Sequence, residues 1–136
     1  MDRGPVLIEG YASVFGVADL SGDVVRAGAF ARSLRSGGVP MLLQHRAGAV
    51  IGRWTRIIED GRGLFVRGLI EADSARKVVE GGLDGLSIGF RARLWKPRTE
   101  GGRDLLDLDL VEISLVAEPM QPAARFTQIG AAARAA

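Results

Sequence analysis

Short apolar runs, each cut off by glycine or a turn pair, dominate this chain and restrict it to a mainly β fold assembled from hairpins. Val6 to Phe15 reads as an opening strand, with Gly10 marking a bulge. In VPMLLQH, period-two counting puts Val39, Met41, Leu43 and His45 on one strand face, so His45 ends the more apolar side. VIGRWTRII and LFVRGLIEA flank Asp60-Gly61, the strongest hairpin signal present. LDGLSIGFRARLW alternates Leu86, Ile88 and Phe90 against Ser87, Gly89 and Arg91. Two helices are expected, GAFARSLRSGG stopped by Gly37-Gly38 and SARKVVEGG capped by Asp73. LLDLDLVEISLVAE is the last strand before Pro119 and Pro122 end regular structure. Strict alternation aligns Glu112 with Leu106, Leu108 and Leu110, and a bulge near Leu110 or Val111 reverses its side. The pattern predicts an α+β, mainly β architecture, a small closed or partly open barrel of roughly six to seven strands flanked by helices.

With 136 residues the chain fits one domain, expected over residues 1–122, and 123–136 reads as an alanine-rich flexible tail. The absence of cysteine excludes disulfides and a thiolate nucleophile, and one histidine excludes a histidine-rich metal site, so no cofactor is expected. Sixteen arginines and two lysines face sixteen acids, and the two signs are interleaved, which argues against a phosphate-tracking surface and hence against a nucleic-acid partner. The N-terminus lacks the pattern of a secretory signal and no segment has the length of a membrane span, so a cytoplasmic location is expected.

Any histidine chemistry must use His45. Imidazole is the side chain best suited to take a proton from a serine hydroxyl near neutral pH. Of seven serines, Ser87 and Ser114 lie in strands that cross the core sheet, and composition alone does not choose between them. Gly85 and Gly89 flank Ser87 at two positions on either side, leaving room for close approach of backbone and substrate, whereas Ser114 has Ile113 and Leu115 beside it. Glu112 in an apolar strand needs a partner, either His45, which it would orient, or an arginine. Arg91 and Arg93 share the Ser87 face and either support an oxyanion or solvate the strand.

GYASVFG, GDVVRAGAF, LLQHR with IGRW, GLSIGF and DLVEISLVAEP follow one another from Gly10 to Pro122 in the order seen in another group of proteins. In these motifs the chain resembles the prohead (capsid maturation) proteases of HK97-type tailed phages, which are themselves similar to the herpesvirus assemblins. The resemblance implies a serine endopeptidase on a small β-barrel wrapped by helices, cutting the scaffold or N-terminal segment of a major capsid protein, and itself, inside immature capsids in the host cytoplasm. It implies a homodimer or assembly within the shell. By motif it assigns the base to His45 and the nucleophile to Ser87. The third member varies across the superfamily, where a second histidine serves; this chain has none, and Glu112 takes the place. A non-catalytic capsid-assembly or scaffolding factor that keeps the fold is the alternative.

Overall fold

The computed structural model describes residues 4–131. Its strands are β1 (Val6–Val14), β2 (Val24–Val25), β3 (Pro40–Leu43), β4 (Val50–Glu59), β5 (Gly63–Ile70), β6 (Gly85–Pro97), β7 (Arg103–Val116) and β8 (Phe126–Ala131), with helix α1 (Asp73–Glu80) between β5 and β6. They form one curved sheet in the order β2-β7-β3-β4-β5-β1-β8, with β6 paired to β7. A single Gly85–Arg125 bridge, beside the Leu86 N–H to Ala124 carbonyl and Phe126 N–H to Asp84 carbonyl bonds, joins β6 to β8. The barrel is therefore partly open, laced at one end of that seam. Ile8, Met41, Val66, Leu86, Ile113 and Leu115 are fully buried inside it. Each such side chain contributes about 1.5–3 kcal/mol on burial.

The β4–β5 hairpin turns at Asp60-Gly61 as expected, and the Asp60 carboxylate accepts the Arg62 and Gly63 N–H groups at 2.8 and 3.1 Å. Four other expectations are corrected. Residues 27–38 form no α-helix, only a 3-10 turn at Ser33–Ser36. Their polar groups are committed to β7: the Ala29 carbonyl accepts the Leu108 N–H at 3.0 Å and the Ser33 hydroxyl the Leu110 N–H at 2.8 Å, while Ala29 and Phe30 are fully buried. Tertiary contact overrides helical composition here. Asp73 is the first residue of α1 rather than its cap; Ala72 holds the cap position, and the Asp73 carboxylate pairs with the buried Arg76 one turn on. Gly10 is a point of close approach, since a Cβ there would lie 2.1 Å from the Arg125 carbonyl oxygen, and the β1 register shifts fall elsewhere, between Leu7 and Ile8 against β8 and between Tyr11 and Ser13 against β5. Finally, regular structure resumes after Pro122: β8 pairs with β1, so the expected tail is a strand as far as Ala131, and the rest of it lies outside the described residues.

β7 is the hub. β6 occupies one of its edges, and the other takes β2, then the 29–33 segment, then β3. Among the described residues, no helix is long and apolar enough to cross a membrane.

Candidate active site

His45 does not end a strand face. β3 stops at Leu43, and Gln44 and His45 both take left-handed backbone conformations, with φ of 53° and 61°. That region is unfavourable for residues with a Cβ, by about 1–2 kcal/mol each. Two bonds to β7 offset it: the Gln44 N–H donates to the Leu115 carbonyl at 2.9 Å, and the His45 N–H to the Ser114 hydroxyl at 3.1 Å. Because β3 runs parallel to β7 with Leu42 opposite Ser114, the turn delivers the imidazole over the face carrying Glu112.

Glu112 reaches that face through a bulge. In the β6–β7 register Gly89 opposes Glu112 and Phe90 opposes Leu110, which leaves Val111 as the extra residue, half exposed. Leu108 and Leu110 point into the core before it, Ile113 and Leu115 after it. Glu112 and Ser114 are thereby turned out of the core onto the face shared with Ser87 and Gly89. The Ser33 hydroxyl on the Leu110 N–H and the Trp54 indole N–H on the Ile113 carbonyl, at 3.2 Å, satisfy backbone groups on either side of the bulge.

The buried Glu112 carboxylate lies 2.7 Å from His45 Nδ1 through Oε2 and accepts the Ser114 hydroxyl at 2.8 Å through Oε1. An ionised carboxylate is an acceptor only, so Nδ1 donates and the neutral ring keeps Nε2 as its acceptor. Gly89 creates the space, because a Cβ there would sit 2.8 Å from Glu112 Cδ and 2.9 Å from Oε2. This revises the sequence reading of the glycines around Ser87: Gly89 makes room for the glutamate, and Gly85 for the Val116 carbonyl and the Pro119 ring.

His45 and Ser87 line one cavity of about 310 Å³. Its apolar wall includes Ala12, Leu86, Ile88, Phe90 and Leu105; Asp19, Ser21, Asp23, Arg103 and Gln121 supply polar groups. These charges are engaged. Asp19 Oδ1 accepts the Ser21 N–H and hydroxyl and the Asp23 N–H, while Asp23 pairs with Arg103 at 2.8 Å, a hydrogen-bonded contact that holds its carboxyl below the usual carboxylate range. Gln121 bonds the Val14 N–H through Oε1 and the Val14 carbonyl through Nε2, at 2.7 and 2.8 Å, fastening the 119–122 segment to β1. Ser114 is fully buried, and its bonds go to Glu112 and the His45 backbone rather than the ring. Arg91 and Arg93 lie outside the cavity lining, Arg93 reaching Asp109 instead.

Sequence reasoning missed Gln121, the supporting position of Ser114 and the glutamate for which Gly89 makes room. The signal for two of them was present, since Ser114 shares the face of Glu112 and Gly89 that of Ser87 two residues away.

Known proteins are similar to this chain in sequence and in fold. Residues 2–135 match the family model of the caudovirus prohead serine proteases. The prohead protease of Enterobacteria phage HK97 is 36% identical over 93 residues, 62% of this chain but 41% of that protein, so the chain spans under half the length of this relative. The protease of Kaposi's sarcoma-associated herpesvirus, solved with a hexapeptide phosphonate inhibitor, superposes with a TM-score of 0.67 at 12% identity, over 92% of this chain and 65% of that one. Varicella-zoster virus protease gives 0.57 at 16% identity, over 91% and 64%. These likenesses establish a shared mainly β fold, and the match along almost the entire sequence shows that the chain belongs to the caudovirus prohead serine protease family.

Proposed function

We propose that the chain is a serine endopeptidase acting through an acyl-enzyme, with His45 as base, Ser87 as nucleophile and Glu112 orienting the ring. One observation carries this reading: a buried carboxylate holds His45 Nδ1 while the same histidine lines the cavity that contains Ser87. In the reaction Nε2 takes the Ser87 proton as its Oγ attacks the peptide carbonyl, and Glu112 stabilises the imidazolium. The proton then passes to the leaving amine, and water releases the acyl group. Because the cavity's carboxylates are already engaged and one wall is apolar, it suits an uncharged apolar side chain beside the scissile bond. Among the described residues β6 has no strand partner on its outer edge beyond the Gly85 bridge, and that edge runs past Ser87, which suits an extended substrate backbone.

Membership of a prohead protease family supports a capsid protein of the prohead as the substrate class, and the scaffold or N-terminal segment of the major capsid protein is the part we propose is cut inside the immature capsid. Confinement in a shell raises the effective concentration of enzyme and substrate. Mass spectrometry of the capsid protein's N-terminus, after coexpression with this chain, tests the reading. Ser87→Ala and His45→Ala each leave the segment attached, with rates down by about a thousandfold or more. Unchanged trimming by Ser87→Ala would move the nucleophile elsewhere. Shells that assemble normally while the wild-type chain cuts nothing would favour the scaffolding role.

A further inference from the structure

The bulge places beside Glu112 a second polar group that the proposed proton path does not use. Ser114 Oγ, on β7, engages both members of the pair at once: it accepts the His45 N–H at 3.1 Å and donates to Glu112 Oε1 at 2.8 Å. A hydroxyl has one proton and two acceptor sites. The backbone N–H only donates and the carboxylate only accepts, so the direction of both bonds is fixed: the hydroxyl proton goes to Glu112. With the Glu112–Nδ1 contact this closes a ring of hydrogen bonds from the His45 backbone through Ser114 and Glu112 back to the His45 side chain.

We infer that Ser114 is a positioning residue for the His45–Glu112 pair, setting the orientation and tautomer of the imidazole through a hydroxyl that never meets substrate. The inference deepens the proteolytic reading above and rests on it for its kinetic part. Three features support it. Ser114 is fully buried, where an unpaired hydroxyl is costly, so its bonds are obligatory. The backbone it holds is left-handed at both Gln44 and His45, a conformation that requires anchoring. Ser114 Oγ reaches both carboxylate oxygens, Oε1 at 2.8 Å and Oε2 at 3.2 Å, so one hydroxyl bears on the orientation of the whole carboxylate.

Ser114→Thr and Ser114→Val test this together, because both add a methyl group to the same buried site and differ chiefly in the hydroxyl. The kinetic readout is cleavage of a peptide carrying the capsid processing site. Threonine is expected to keep kcat within a fewfold of its value in the starting protein, while valine lowers kcat by about tenfold or more at a similar KM. The second readout needs no substrate. His45 is the sole histidine, so its ring 15N signals are unambiguous, and at a pH where the ring is neutral they report which nitrogen carries the proton. The Nδ1–H form is expected to dominate in the native chain and the threonine variant, and the valine variant to move toward Nε2–H. Equal kcat and equal tautomer ratios in the threonine and valine variants would overturn the inference. A native chain that cleaves nothing would instead count against the proteolytic reading, and the ring signals alone would then decide the role of Ser114.

Discussion

The two halves of β7 handle their acidic residues in opposite ways. Before Val111, Asp107 and Asp109 sit at the surface and meet arginine: Arg32 bridges both, and Arg93 approaches Asp109. After it, Glu112 is buried and, among the described residues, is hydrogen-bonded to an imidazole and a hydroxyl rather than to an arginine. Surface pairs of the first kind are screened by solvent and contribute little. A buried carboxylate has no such latitude; its partners must be correct, or it is expelled or neutralised. One inserted residue thus separates a solubilising stretch of strand from a chemical one.

Removing the boundary tests this contrast most severely. Inserting one residue between Gly89 and Phe90 gives Val111 a cross-strand partner, restores strict alternation through it and drives Glu112 into phase with Leu108 and Leu110, so capsid processing should vanish and the thermal midpoint should fall. Retained cleavage would show that the bulge does not organise the site. Gly89→Ala is the next largest perturbation. Its methyl group would fall 2.8 Å from Glu112 Cδ and displace the carboxylate, and kcat should drop by about a hundredfold, measured on a peptide substrate. Asp109→Asn, on the other half, should leave kcat unchanged. Its effect belongs to acid unfolding: Arg32, with Arg93, holds the Asp109 carboxyl below the usual range, so the unfolded chain takes up this proton first as pH falls. The native residue therefore adds stability above the ordinary carboxylate pKa of about 3.9, and loses it as pH drops toward the lower folded value. Asparagine should flatten that part of the acid denaturation curve, followed by circular dichroism. A change in kcat would blur the line between the two halves.

The hairpins were legible because their signals are local. Asp60-Gly61 states its turn chemistry in two residues, and the alternation around Ser87 states its face. The contact of Glu112 with His45 was legible only conditionally, since alternation puts the glutamate in the core unless a bulge intervenes, and nothing in LDLDLVEIS marks which residue is extra. His45 was misread for a related reason: a left-handed turn at Gln-His carries no glycine to announce it. GAFARSLRSGG has helical composition, and only the presence of β7 alongside decides that its carbonyl and hydroxyl groups face outward to another strand. β8 was hidden by the prolines before it, because they end one segment without saying that another follows. The substituents that support the site, Gly89 and Ser114, act across strands, and register cannot be read from either strand alone.

The turn at Gln44 and His45 also bears on how this protein would respond to laboratory selection. Glycine or asparagine suits a left-handed position better than glutamine does, so a campaign that ranks variants by heat resistance alone would favour replacing Gln44. The glutamine side chain accepts the Ala117 N–H at 3.2 Å, tying the turn to the exit of β7. A sturdier chain obtained that way would lose this tether one residue from its only imidazole, and heat resistance and turnover would have to be screened together.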